Sequence, residues 1–166
     1  RGNLGVAFTY NEPLVGYEYV RDTAREVRRR GMKTILVTNG AFTEETEEAV
    51  LPYIDAMNID LKGFTEAYYK KLGGDLETVK AFIAKAARVC HVELTTLVVP
   101  GENDSAGEIQ ELAEWVASVD YEIPLHVTRF FPRWRMTDQK ATEVEAVYRL
   151  AGEAGKYLKY VYTGNC

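Results

Sequence analysis

Cysteine is scarce. The 166 residues contain two, Cys90 and Cys166, and histidine is as rare, with His91 and His126. Two isolated cysteines give no disulfide framework, and no His/His or His/Cys grouping has metal-ligand spacing. No apolar run approaches the ~18 residues a membrane span needs, and no secretory leader pattern is visible, so a reducing cytoplasm is the expected setting. A Gly-x-Ser-x-Gly elbow, a Walker loop and a dinucleotide glycine loop are all missing, which leaves Ser/His/Asp hydrolysis and those nucleotide sites without support. The net charge of −5 gives a whole-molecule field that does not favour nucleic acid. Two local basic spots stand against it. Arg28-Arg29-Arg30 reads as solvated surface. Arg133-Trp134-Arg135 follows a strand-like run and could face an anionic substrate.

What is there is an alternation of strand and helix. Strands are expected at Gly5–Tyr10, Lys33–Thr38, Ala56–Leu61, His91–Val99, Pro124–Phe130 and Leu158–Tyr162, where short apolar runs are bounded by turn residues. Helices are expected at Val15–Arg30, with Tyr19, Ala24 and Val27 inward, and from Thr43 over an acidic first turn. Others are expected at Thr65–Lys71, Leu76–Arg88, Ser105 to Val119, and Thr142-Glu143 to Ala154. Ser105 and Glu108 have the spacing of a capping box. Such alternation implies a parallel sheet with right-handed crossovers, and largely apolar strands imply burial on both faces. The expected fold is α/β, a partial (β/α)6 TIM-like barrel. The chain reads as a single domain over residues 1–166, with both ends cut from a longer protein.

Polar cassettes follow nearly every strand, where the mouth of such a barrel would lie. Glu12, held extended by Pro13, can accept charge-assisted hydrogen bonds from an ammonium group; its bland alternative is a surface loop glutamate. Thr38-Asn39-Gly40 offers a donor, an acceptor and close backbone approach, or only a turn with glycine at positive φ. Asp60 and Lys62 lie two apart, so a continuing strand points both to one face. Lys62 could clamp a ligand carboxylate, form a Schiff base if desolvated, or sit in a structural ion pair. His126 alone on a strand is more often a satisfied residue than a ligand.

In order, Phe8-Thr9-Tyr10-Asn11-Glu12-Pro13, Val37-Thr38-Asn39-Gly40, Asn58-Ile59-Asp60-Leu61-Lys62, Thr95-Thr96-Leu97-Val98-Val99-Pro100-Gly101 and His126-Val127-Thr128-Arg129-Phe130 resemble the radical S-adenosylmethionine (SAM) enzymes. The resemblance covers essentially the whole chain. Within those enzymes the sequence resembles the group related to pyruvate formate-lyase activating enzyme, and inside that group the AmmeMemoRadiSam-system proteins. The resemblance implies a SAM-binding barrel mouth and a [4Fe-4S] cluster that cleaves SAM reductively to a 5′-deoxyadenosyl radical. It places the methionine ammonium on Glu12, within Tyr10-Asn11-Glu12. Thr38, Asn39, Gly40, Asp60 and Lys62 would surround the methionyl carboxylate and ribose, with Lys62 the candidate catalytic side chain. Val98, His126, Thr128 and Phe130 would flank the adenine.

Three departures stand out. The family's Cys-x3-Cys-x2-Cys triplet is not in this chain, so no metal ligand is assigned here. The cluster ligands are expected upstream of Arg1, together with the family barrel's first strand. Tyr10-Asn11 stands where the family has Gly-Gly, and Phe131 stands where relatives often have histidine. The resemblance therefore implies an activating-enzyme-like oxidoreductase in full-length form, inactive as this piece alone. Its substrate is unidentified, with a protein among the candidates, and its electron donor would be flavodoxin or ferredoxin. No membrane or nucleic-acid partner is expected. The alternatives are a catalytically silent SAM- or partner-binding module and a Schiff-base lyase using Lys62.

Overall fold

The computed structural model describes residues 2–166; Arg1, read as opening onto the first strand, lies outside them. Strand formation follows side-chain alternation. In β2 (Lys33–Thr38), Thr34, Leu36 and Thr38 are buried while Lys33 and Ile35 are exposed. The remaining strands are β1 (Gly5–Phe8), β3 (Ala56–Asp60), β4 (His91–Val98), β5 (Leu125–Arg129) and β6 (Val161–Gly164). They form one open six-stranded sheet in the order β1-β2-β3-β4-β5-β6. The fold is thus α/β, with the strand arrangement of a partial (β/α)6 barrel. The helices are α1 (Tyr17–Arg29), α2 (Glu44–Val50), α3 (Glu66–Lys71), α4 (Leu76–Ala86), α5 (Ala106–Asp120) and α6 (Val144–Ala154).

The chain falls into two compact units. The first holds residues up to Asp60 together with Glu77–Glu93. Here β1 pairs parallel to β2, with Phe8 opposite Leu36, and β2 pairs parallel to β3, with Thr38 opposite Ile59. Val20, Ala24 and Val27 of α1 are buried at intervals of four and three, one face of a helix. Tyr19, expected inward, is 73 % exposed; Val20 takes that place, because only the i, i+4, i+7 set shares a stripe. The second unit holds Leu61–Leu76 and Leu94–Cys166. In it β4 pairs parallel to β5, with Val98 opposite Arg129, and β5 pairs parallel to β6, with Thr128 opposite Gly164.

Side-chain caps start several helices. Thr43, Thr65 and Ser105 each accept from the backbone N–H three residues on. The capping box at Ser105 is only half made. Glu108 N–H donates to Ser105 Oγ at 3.1 Å, but the Glu108 carboxylate turns instead to Phe64 N–H at 2.6 Å. β6 begins three residues later than expected. Leu158 N–H still donates to Ala154 O and Lys159 N–H donates to Tyr121 O, so both are drawn off the ladder. Burial on both strand faces is not met either. The positions between the buried ones stay partly open, with Ile35 41 % and Leu97 37 % exposed. Among the described residues no helix is long and apolar enough to cross a membrane.

Candidate functional site

In the first unit the chain leaves β1 through Tyr10, whose φ of +55° lies in the left-handed region and ends the strand. Glu12 follows in an extended conformation, as a residue before proline must, and caps the turn Pro13–Gly16. Its carboxylate is held from two directions. Oε1 accepts from Leu14 N–H at 3.2 Å and from the Thr38 hydroxyl at 2.8 Å, and Oε2 accepts from Asn39 N–H at 2.7 Å. Glu12, Thr38 and Asn39 therefore meet, though the last two grip the glutamate directly. The single hydroxyl proton of Thr38 is committed to Glu12, while the Thr38 oxygen accepts from Gly40 N–H at 3.4 Å. Asn39 Oδ1 accepts from Ala41 N–H at 2.9 Å and shapes the turn. A carboxylate offers about four lone-pair sites. Three chain donors fix its orientation and leave capacity for one more donor. Tyr10 and Asn11 are exposed, and Asp60 closes β3 directly after Ile59, the residue paired with Thr38.

Gly40 proves to be a packing position. Its φ is +72°, and a Cβ there would lie 2.9 Å from Ile59 Cγ2 and 3.3 Å from Val79 Cγ1. Backbone strain and lack of space both demand glycine.

In the second unit buried polar side chains fasten the loops that follow the strands. Asn103 is 1 % exposed. Its amide donates to Lys62 O at 2.6 Å and to Leu97 O at 2.9 Å, and its Oδ1 accepts from Val99 N–H at 2.7 Å. Lys62 N–H donates to the buried Tyr69 hydroxyl at 3.1 Å. Both ends of the Lys62 backbone are thereby fixed. The Thr96 hydroxyl donates to Leu61 O at 2.8 Å. The Thr142 hydroxyl donates to Val98 O at 2.6 Å and accepts from Phe130 N–H at 3.2 Å. Asn103, Thr96 and Thr142 carry no site signature in the sequence, where each reads as an ordinary loop, strand or helix-start residue. The available signal was a polar side chain at an otherwise apolar inward position, as Thr96 is between Leu94 and Val98.

Val98 and Phe130 are buried, so a ligand would meet them chiefly through backbone or rim. Thr128 is half-buried and donates to Thr96 O at 3.3 Å. His126 lies two residues deeper in β5 and stacks on Tyr162 with ring centroids 5.4 Å apart. Phe131 lies under Arg129 at 4.7 Å.

Burial pushes the Glu108 carboxyl up, against the opposing hydrogen bond from Phe64 N–H. Burial and the charge of Asp55 push the Cys90 thiol up to about 11, which makes it a poor metal ligand. Among the described residues no three His, Cys, Asp or Glu side chains are grouped to hold a metal ion. An iron–sulfur cluster needs thiolates, and the donor set of this chain does not fit one. The fixed, half-buried Glu12 carboxylate does fit the ammonium of an amino-acid ligand.

The family model described as the Radical SAM superfamily matches residues 1–116. The chain belongs to the radical SAM superfamily. It is 39 % identical over 166 residues to an uncharacterized protein of Methanocaldococcus jannaschii, covering 97 % of this chain and 49 % of that one. It is 25 % identical over 147 residues to isethionate sulfite-lyase activating enzyme of Oleidesulfovibrio alaskensis, covering 86 % and 46 %. The chain thus spans about half the length of the curated relatives it matches. Its fold matches a domain of pyruvate-formate lyase-activating enzyme from Bacteroides vulgatus with a TM-score of 0.83 at 18 % identity, covering 97 % of this chain and 99 % of that domain. This radical SAM chain is accordingly similar to the activating enzymes.

Proposed function

We propose that this chain is the SAM-binding part of an activating-enzyme-like radical SAM oxidoreductase. The observation that carries the reading is the Glu12 carboxylate, fixed by Thr38, Asn39 and Leu14 at the ends of β1 and β2 in a chain of this superfamily. Glu12 would accept the methionine ammonium of SAM. Thr38 and Asn39 hold that carboxylate in place, so its orientation costs little on binding. Asp60 and Lys62 would face the methionyl carboxylate and ribose, Lys62 as the cationic clamp. Asn103 fixes the backbone from which Lys62 projects. Val98, His126, Thr128 and Phe130 would border the adenine. In the intact protein a [4Fe-4S] cluster would supply the electron for reductive cleavage of SAM, while Glu12, Asp60 and Lys62 of this chain would hold the SAM. The thiolates such a cluster needs would have to come from outside residues 1–166. The electron would come from a flavodoxin- or ferredoxin-type donor.

Anaerobic reconstitution of the intact protein with iron and sulfide, followed by dithionite and SAM, tests this reading. Formation of 5′-deoxyadenosine is the expected result. SAM binding without 5′-deoxyadenosine would favour a silent binding module, and no SAM binding would end the proposal.

A further inference from the structure

The 14 residues between β5 and α6, 130–143, exceed the two to six usual for such a connection. Their base is clamped shut. Phe130 N–H donates to Thr142 Oγ1 at 3.2 Å, Thr142 N–H donates to Phe130 O at 3.1 Å, and Arg129 Nε donates to Thr142 O at 2.6 Å. Thr142 is 2 % exposed and ties the same base to Val98 O at 2.6 Å. A long loop with joined ends is an Ω-loop, a form often used for binding.

The tip is built differently. Two successive turns, Met136 N–H to Arg133 O at 3.0 Å and Gln139 N–H to Met136 O at 3.2 Å, hold residues 133–139 compact and away from the core. Trp134 is 80 % exposed and sits at a φ of +52°, a conformation a bulky side chain rarely adopts. Arg135 lies over its ring at 4.3 Å from the centroid. Three cations, Arg133, Arg135 and Lys140, face one anion, Asp138, within residues 131–140 of a chain whose net charge is −5. A stacked guanidinium keeps its N–H edge outward, shaped for a carboxylate. The loop therefore presents an indole with one guanidinium stacked on it, and the exposed Arg133 next to it in sequence, on a clamped base.

We propose that the loop 130–142 is a docking surface for an acidic protein segment that carries an aromatic or apolar side chain beside its carboxylates. Carboxylates engage Arg133 and Arg135, and the neighbouring apolar side chain packs on Trp134. The acidic balance of the rest of the chain repels an extended polyanion, which favours a short acidic peptide stretch over nucleic acid.

The test is fluorescence anisotropy on the intact protein with three labelled probes: a peptide of alternating glutamate and phenylalanine, its lysine–phenylalanine counterpart, and a thymidine oligonucleotide. The glutamate peptide should bind tightest. The double variant R133E/R135E should weaken it at least tenfold, and Trp134→Ala should weaken it about fivefold, with the Kd for SAM unchanged in both. Equal binding of the lysine peptide, tighter binding of the oligonucleotide, or no response to either variant overturns the proposal. These side chains are exposed, so the variants should fold; a circular dichroism melt superimposable on that of the parent verifies it.

Discussion

Glu12→Gln removes a charge while keeping shape, and the structure sets what should follow. Both carboxylate oxygens of Glu12 accept, one from Leu14 N–H and the Thr38 hydroxyl, the other from Asn39 N–H. Glutamine has a single acceptor oxygen, so one of these donors meets an NH2 group. The site is only half-buried, and water can relieve that conflict. The larger loss is the hydrogen bond between a carboxylate and the ligand ammonium. A hydrogen bond to a charged group contributes about 1.5–3 kcal/mol, so the SAM Kd should rise by a factor of roughly 10–150. Isothermal titration of the intact protein measures it directly. A second ligand isolates the cause. Methylthioadenosine lacks the amino-acid group and should bind parent and variant alike. An unchanged SAM affinity, or an equal loss for methylthioadenosine, would refute the assignment of Glu12 to the ammonium.

Asn103→Leu should destabilise the fold by about 2–5 kcal/mol, because one buried group, Val99 N–H, and two part-buried ones, Lys62 O and Leu97 O, lose their partner; urea unfolding measures it, and a loss below about 1 kcal/mol would show that the staple carries little. Gly40→Ala must place a Cβ 2.9 Å from the buried Ile59 Cγ2 at a φ of +72° and should cost about 2–3 kcal/mol, read as a lowered midpoint in the same assay. Cys90, its thiol pushed up to about 11, has only about one thiolate in a thousand at pH 8, and its alkylation rate should rise roughly tenfold per pH unit up to that value. Exposed Cys166 should react first with iodoacetamide. Faster labelling of Cys90 at pH 8, located by peptide mass mapping, would contradict the burial assigned to it.

The strands and most helices were legible because their signals are local. Lys33–Thr38 alternates, and Thr43, Thr65 and Ser105 announce their helices within four residues. What failed locally was resolved by longer contacts. Glu108 has the spacing of a capping box, yet Phe64 N–H, 44 residues away, takes its carboxylate. Leu158 and Lys159 lie in a strand-like run, yet the α6 terminus and Tyr121 claim their backbone N–H groups. The candidate site shows the same division. Glu12 could be named from Pro13 and its place after a strand. That Thr38 holds Glu12 could not, because a hydroxyl proton has no sequence signature and its acceptor lies 26 residues away. Asn103 and Thr142 were invisible for the same reason, with partners at separations of 41 and 44 residues. Residues 1–166 contain no Cys-x3-Cys-x2-Cys triplet, and the isolated Cys90 and Cys166 carry no part of the cluster assignment.

The most direct measurement is a crystal structure of the intact protein with SAM bound. The account predicts the methionine ammonium within hydrogen-bonding distance of a Glu12 oxygen, with the Thr38 hydroxyl and Asn39 N–H still donating to the same carboxylate. An ammonium held by other groups, with Glu12 facing solvent, would contradict it.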